Sequence, residues 1–243
     1  MWGIEVNNVT KKAILPDGTS DLLFENFNLR VKESEVVGIF GPNGCGKTTL
    51  LNMVSGISRP DSGEILIFGE KPGEKRIAYI FQDYRSSLFP WLTVRDNIVF
   101  PLSLRKMNKR DIDEKLNRMA ENIKISFDMA KYPYQLSGGQ QQYISILRGL
   151  ISDPVAMLID EPFSALDYSN SLWLMKKMSE IMDAVKIPAI LVAHDINHLM
   201  RLSHRICFFS KKPTGIIKER HIKSDRAWRN QYFKYNEILE AMH

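Results

Sequence analysis

Only two cysteines occur in 243 residues. One of them, Cys45, sits inside a glycine-rich stretch, so the chain has no disulfide framework and suits a reducing compartment. No apolar run reaches the roughly 18 residues of a membrane-spanning helix, so no such helix is expected. The start, Met1-Trp2-Gly3-Ile4-Glu5, lacks the basic-then-apolar pattern of a secretory signal, and a cytoplasmic location is expected. Internal repeats, low-complexity tracts and heptad runs are also missing, which excludes solenoids and long coiled-coil arms. What remains is ordinary globular material, 44% hydrophobic and 25% charged, long enough for one large α/β domain or a core plus a subdomain. The net charge of +5 is unevenly placed. From Arg201 to His243 ten Lys/Arg face four Asp/Glu, a net +6, so the rest sums to −1. That basic end reads as a solvated face or as contact with an anionic membrane surface or an acidic partner. No nucleic-acid module accompanies it, so no nucleic-acid partner is expected.

Strand patterns at Ile4–Val9, Leu22–Val31 and Val36–Phe40 come first, the first two divided by a turn at Pro16-Asp17-Gly18. Strands Glu64–Phe68 and Ile77–Phe81 follow. Thr93 and Asn108 then read as helix N-caps, and Leu136–Leu150 carries a third helical segment. Strands Val155–Ile159, Pro188–Ala193 and Arg205–Ser210 close the pattern, with a helix over Tyr168–Val185 and another expected after Gly215. Alternation of this kind predicts a mostly parallel sheet.

Residues 41–48 read Gly41-Pro42-Asn43-Gly44-Cys45-Gly46-Lys47-Thr48, between an apolar run and a helix-like segment. This is a phosphate-binding P-loop in its proper strand–loop–helix setting. Its glycines let backbone N–H groups point inward at a phosphate, and the following helix N-terminus adds attraction. Lys47 would reach the β- and γ-phosphates, and Thr48 would hold Mg²⁺. Cys45, beside Lys47 and a helix N-terminus, is expected to have a lowered thiol pKa and to be reactive. Asp160 ends an apolar strand, which brings its carboxylate to the sheet edge where open α/β sheets bind ligands. Glu161 follows, placed to polarise an attacking water. His194 closes another apolar strand and can reach the γ-phosphate or that water.

Leu136-Ser137-Gly138-Gly139-Gln140 resembles the signature sequence of ATP-binding cassette ATPases, and further pieces follow that family's order. Gln82 resembles its Q-loop glutamine, Ala156–Glu161 its Walker B strand, Ser164-Ala165-Leu166-Asp167 its D-loop, and His194 its switch histidine. The resemblance implies a P-loop NTPase fold of the α/β class, a RecA-like, mostly parallel sheet with an antiparallel β subdomain. It implies a single domain, with a nucleotide-binding core at 1–87 and 151–243 and an inserted helical subdomain at 88–150. ATP and Mg²⁺ are the implied cofactors. Gly41–Thr49 (Thr49 included), Gln82, Ser137, Gly138, Gly139, Gln140 and Asp167 would bind nucleotide. Thr48, Gln82 and Asp160 would surround the metal, and Glu161, His194 and Lys47 would be catalytic. Two cassettes would sit head to tail, each signature capping the ATP of the other, so a homodimer is expected.

The segment Leu88–Ile98, with Phe89-Pro90-Trp91-Leu92, resembles bacterial import cassettes of the nitrate, sulfonate and taurine group. It implies an ATPase subunit at the cytoplasmic face of the membrane, with a permease docking near Gln82–Leu92 and an external solute-binding protein acting indirectly. The alternative is a soluble ABC-type ATPase acting on nucleic acid or ribosomes. Three departures from the family pattern stand out. Lys12-Ala13-Ile14 occupies the place of an adenine-stacking aromatic. Tyr143 replaces an arginine on the signature helix, which puts a family salt bridge in doubt. The chain stops at His243, where some relatives append a regulatory domain.

Overall fold

The computed structural model describes residues 1–14, 18–83, 87–123, 125 and 127–222. In chain order its elements are β1 (Trp2–Ile14), β2 (Ser20–Lys32), β3 (Val36–Phe40), α1 (Lys47–Ser55), β4 (Ser62–Ile67) and β5 (Ile77–Ile80). Then come α2 (Val94–Leu104), α3 (Lys109–Ile123), a 3-10 turn (Pro133–Gln135), α4 (Gly138–Leu150), β6 (Ala156–Asp160) and α5 (Tyr168–Val185). The described chain ends with β7 (Ala189–Val192), α6 (Ile196–Leu202), β8 (Arg205–Phe209) and β9 (Ile216–His221). The expected turn at Pro16-Asp17 and any helix beyond residue 222 lie outside the described residues. Ile216–His221, placed by the sequence pattern in a region running into a helix, is a strand antiparallel to β8. Its exposed, charge-rich face carries no alternation that would announce a strand. No described helix is long and apolar enough to cross a membrane.

The chain divides into two compact units, Met1–Glu74 with the chain from Pro188 onward, and Lys75–Ile187. In the first unit β1 pairs antiparallel with β2 and β4. β3 lies parallel to both β7 and β8. β3, β7 and β8 are almost wholly buried, which is why they read as continuous apolar runs rather than alternating ones. The exception is Arg205 on β8. Its guanidinium meets Glu35 and Glu219 at 2.9 Å each, and a buried charge needs such partners. α1 ends at Gly56, whose left-handed φ of 84° lets its N–H return to the Met53 carbonyl.

In the second unit β5 and β6 run parallel. α4 packs down onto β5, with Gly149 so close to Ala78 that a Cβ there would sit 3.1 Å from the alanine methyl. Tyr143, in the position expected to lose a salt bridge, is buried edge-on against Phe127 and Trp173, both at 5.5 Å. Burial, with the charge of Glu180 behind it, pushes its hydroxyl up to about 12. An aromatic cluster thus stands where an ion pair was in doubt. Such edge-to-face pairs contribute about 0.5–1.5 kcal/mol each beyond burial.

Candidate active site

The P-loop joins β3 to α1 in the first unit. Gly44 and Gly46 have φ of 76° and 103°, conformations that cost a side chain dearly and glycine little. Gly46 also faces the Phe24 ring, 2.9 Å from where a Cβ would stand. The loop is tied below as well. The Thr214 hydroxyl donates to the Cys45 carbonyl, and Thr214 N–H donates to Leu23 O at 2.7 Å. Lys47 is buried, and its ammonium donates to the carbonyls of Gly41 and Pro42 at 2.8 and 3.0 Å. These bonds hold the charge within the loop. Gly46, the N-cap of α1, has no side chain to occupy the first helical amides, and the first turn carries no acid. Those amides and the helix dipole are therefore offered to an anion.

Cys45 corrects an expectation. It is 2% exposed, and burial pushes its thiol up, outweighing the lowering effect of Lys47. Thr214, whose hydroxyl donates to its carbonyl, comes from a distant part of the chain and is invisible in the local sequence.

His194 and the P-loop leave adjacent strands in register. Ile39 pairs with Val192, so Gly41 and His194 each stand two residues beyond a paired position at the same sheet edge. In the second unit Ile80 pairs with Ile159, which puts Gln82 and Glu161 in the same relation. The Ser164 hydroxyl joins them: it donates to the Glu161 carbonyl at 3.1 Å and accepts from Gln82 Nε2 at 3.3 Å. The D-loop motif assigns Ser164 no role; only the turn back from β6 reveals it. Asp160 and Glu161 are both buried. Glu161 has φ of 49°, a left-handed conformation that costs a non-glycine residue about 1–3 kcal/mol and concentrates at functional sites. Tyr79, on the neighbouring strand β5, has its hydroxyl pKa raised by burial and then by the Asp160 charge.

The signature forms the start of α4. The Ser137 hydroxyl accepts from Gln140 N–H at 3.4 Å, and the Gln140 side chain accepts from Ser137 N–H at 3.0 Å. This capping box gives Gln140 a definite task and leaves the serine O–H free to donate. Gly139 lies against Asn170, which allows a Cβ only 3.0 Å from the Asn170 carbonyl. Asn170 in turn bonds the Asp167 carboxylate through its backbone N–H at 2.9 Å and its amide at 2.6 Å. Signature and D-loop are thereby joined through α5. Among the described residues no three His, Cys, Asp or Glu side chains cluster as a metal centre. One carboxylate with hydroxyl and amide oxygens still suits Mg²⁺, which typically takes one or two carboxylates plus substrate phosphates.

The apolar lip divides in two. Phe89 packs on Phe100 at 4.5 Å, beneath the Arg148 guanidinium at 5.7 Å. Buried Asn97 clasps its backbone, accepting from Phe89 N–H and donating to the carbonyls of Phe89, Leu92 and Thr93. Trp91 is 70% exposed. Next to the lip, a groove of about 360 Å³ is lined by Tyr79, Phe81, Arg76, Arg105 and Arg148, with no acidic side chain.

Residues 24–164 match the ABC transporter family. The aliphatic sulfonates import ATP-binding protein SsuB of Bacillus thuringiensis subsp. konkukian is 39% identical over 88% of this chain and 84% of its own length. The spermidine/putrescine import ATP-binding protein PotA of Chromobacterium violaceum is 36% identical over 85% of this chain and 57% of its own. Among solved structures, the dimeric post-hydrolysis state of the ATP-binding cassette MJ0796 bound to ADP and Pi superposes with a TM-score of 0.74. It is 28% identical and covers 91% of this chain and 99% of that one.

Proposed function

The chain belongs to the ABC transporter family, and from that premise we propose that it hydrolyses ATP to energise solute import across the cytoplasmic membrane. The observation that carries the ATPase reading is the P-loop: a lysine held on the loop's own carbonyls beside a helix start with no side-chain cap. Import rests on the family and on the names of its relatives. A small anion such as nitrate, a sulfonate or taurine is the proposed solute class, and the sulfonate-importing relative supports it.

In this reading the α1 amides and Lys47 bind the β- and γ-phosphates. Thr48, Gln82 and Asp160 supply oxygens for Mg²⁺, which when bound neutralises phosphate charge. Glu161 orients and deprotonates the attacking water, and His194 hydrogen-bonds the γ-phosphate. Ser137, Gly138 and Gly139 of a second copy close over the same phosphate, with Asp167 beside them. ATP holds the two copies together and hydrolysis releases them, a population shift driven by the lost γ-phosphate contacts. The MJ0796 cassettes, dimeric in both structures, support a dimer.

The permease docks near Gln82–Leu92, where exposed Trp91 and Phe81 flank the arginine-lined groove. An external solute-binding protein completes the importer from the other side of the membrane. The test is ATP-driven uptake by the transporter purified through a tag on this chain. Trp91→Ser should lower assembly roughly 30-fold, as expected when an aromatic anchor worth about 2 kcal/mol is removed, while isolated-subunit ATPase is kept. Association sensitive to nuclease, with no permease present, would point to the soluble alternative instead.

A further inference from the structure

A nucleotide held only by its phosphates leaves its base without a face to rest on, and aromatic stacking adds substantially to the binding of any base. Beside the P-loop, the described residues of its unit offer no such face. Gly46 abuts Phe24, and Phe24 pairs with Lys11 across β1 and β2. The end of β1, Lys12-Ala13-Ile14, therefore lies one strand from the loop. It presents a lysine, a methyl group and Ile14, which is 84% exposed. The nearby rings of Phe24, Phe27 and Phe209 are buried and packed on one another at 4.9 and 5.4 Å. The one exposed aromatic among the described residues of this unit is Trp2. It lies at the opposite end of β1, beneath Arg30 and Lys32 at 5.7 and 6.0 Å.

The signature unit has the missing face. Tyr132 and Tyr134 flank Pro133 with their rings stacked, centroids 5.7 Å apart and planes 12° from parallel. Tyr134 is 73% exposed. The backbone beneath is fixed: Gln135 accepts from Tyr132 N–H at 2.8 Å, and the Gln141 amide donates to the carbonyls of Pro133 and Leu136 at 3.0 and 3.1 Å. Little ordering remains for a ligand to impose, and preorganisation of this kind favours binding. Tyr134 precedes Ser137 by three residues, at most about 10 Å of chain, the scale separating a nucleotide's base from its terminal phosphate.

We propose that Tyr134, backed by Tyr132, supplies in trans the aromatic face for the adenine held by the partner copy's P-loop. The inference rests on the head-to-tail reading above. Each copy would then read both ends of its partner's ATP, the serine hydroxyl at the γ-phosphate and the tyrosine ring at the base.

The test uses the Glu161→Gln chain and the MgATP concentration that half-converts it to dimer. Adding Tyr134→Ser should raise that concentration roughly 5- to 150-fold, the span of one base–aromatic stack, and Tyr134→Phe should restore it. Hybrids with one working P-loop fix the direction. A Lys47→Ala partner that also carries Tyr134→Ser should weaken ATP binding by the intact chain. A Lys47→Ala partner with Tyr134 intact should bind normally to a chain carrying Tyr134→Ser. Equal ATP dependence with and without Tyr134 overturns the inference, as does a loss that follows the chain whose own P-loop is loaded. No ATP-driven dimer in the parent overturns the head-to-tail reading and this inference with it.

Discussion

The starts of α1 and α4 both carry glycines, yet they are finished in opposite ways. At α1 the cap position is Gly46, with no side chain for the helical amides, and Lys47 is folded onto the loop's carbonyls. At α4, Ser137 and Gln140 satisfy each other's backbone amides before any ligand arrives. Thr93, Asp167 and Asp195 likewise cap α2, α5 and α6 through their side chains. The difference teaches how labour is divided. The α1 start is left open to an anion, and in the proposed function it takes the resident nucleotide. The α4 start is complete by itself, and in that proposal it meets a nucleotide transiently, through one hydroxyl and two small residues.

Substitutions on the two sides should therefore fail differently. The largest effect belongs to neither helix: Glu161→Gln should cut steady-state ATPase by 10²–10⁴-fold, the usual contribution of a positioned base, and leave ATP binding intact. Retention of more than about a tenth of the rate would remove Glu161 from the base role. Next, Lys47→Ala should weaken ATP and ADP binding by the isolated chain by roughly 10- to 150-fold, corresponding to a charged hydrogen bond of about 1.5–3 kcal/mol. Ser137→Ala should leave that binding unchanged. It should lower thermal stability by about 1 kcal/mol through loss of the cap and weaken only ATP-driven dimerisation. Equal nucleotide binding defects in the two variants, by calorimetry, would erase the contrast.

The smallest effect concerns Cys45. Its thiol is buried and its pKa raised, so maleimide labelling of the folded chain at pH 7–8 should be slower than that of a free cysteine. Because the folded pKa is the higher one, this group adds stability below the unfolded thiol pKa. That stability is lost as pH rises through the folded value. Mass spectrometry of timed samples measures the labelling. Rates equal to those of the denatured chain would mean that the P-loop floor is open.

Much of this was legible in sequence because some patterns are local. The P-loop spacing, the Thr93 and Asn108 caps, and the buried runs of β3, β6 and β7 each need only neighbours along the chain. The unread parts depend on distant segments. Cys45 is buried, and its carbonyl is held by Thr214, 169 residues away in sequence. Phe89 and Trp91 are alike as apolar residues in a lip, and only Phe100, Arg148 and the Asn97 clasp show that the first is packing and the second is presented. β9 takes its register from β8 rather than from its own pattern. Tyr143 stands where the family pattern carries an arginine, and Phe127 and Trp173 give it aromatic partners that its neighbours in sequence do not announce.

The central claim is that α1 of one copy and α4 of another act on the same nucleotide. Size-exclusion chromatography of the Glu161→Gln chain in MgATP and in MgADP tests it most directly. The account predicts a dimer in ATP and a monomer in ADP, with Ser137→Ala returning the ATP-bound chain toward monomer. An elution volume that is the same in both nucleotides, with ATP demonstrably bound, would contradict it.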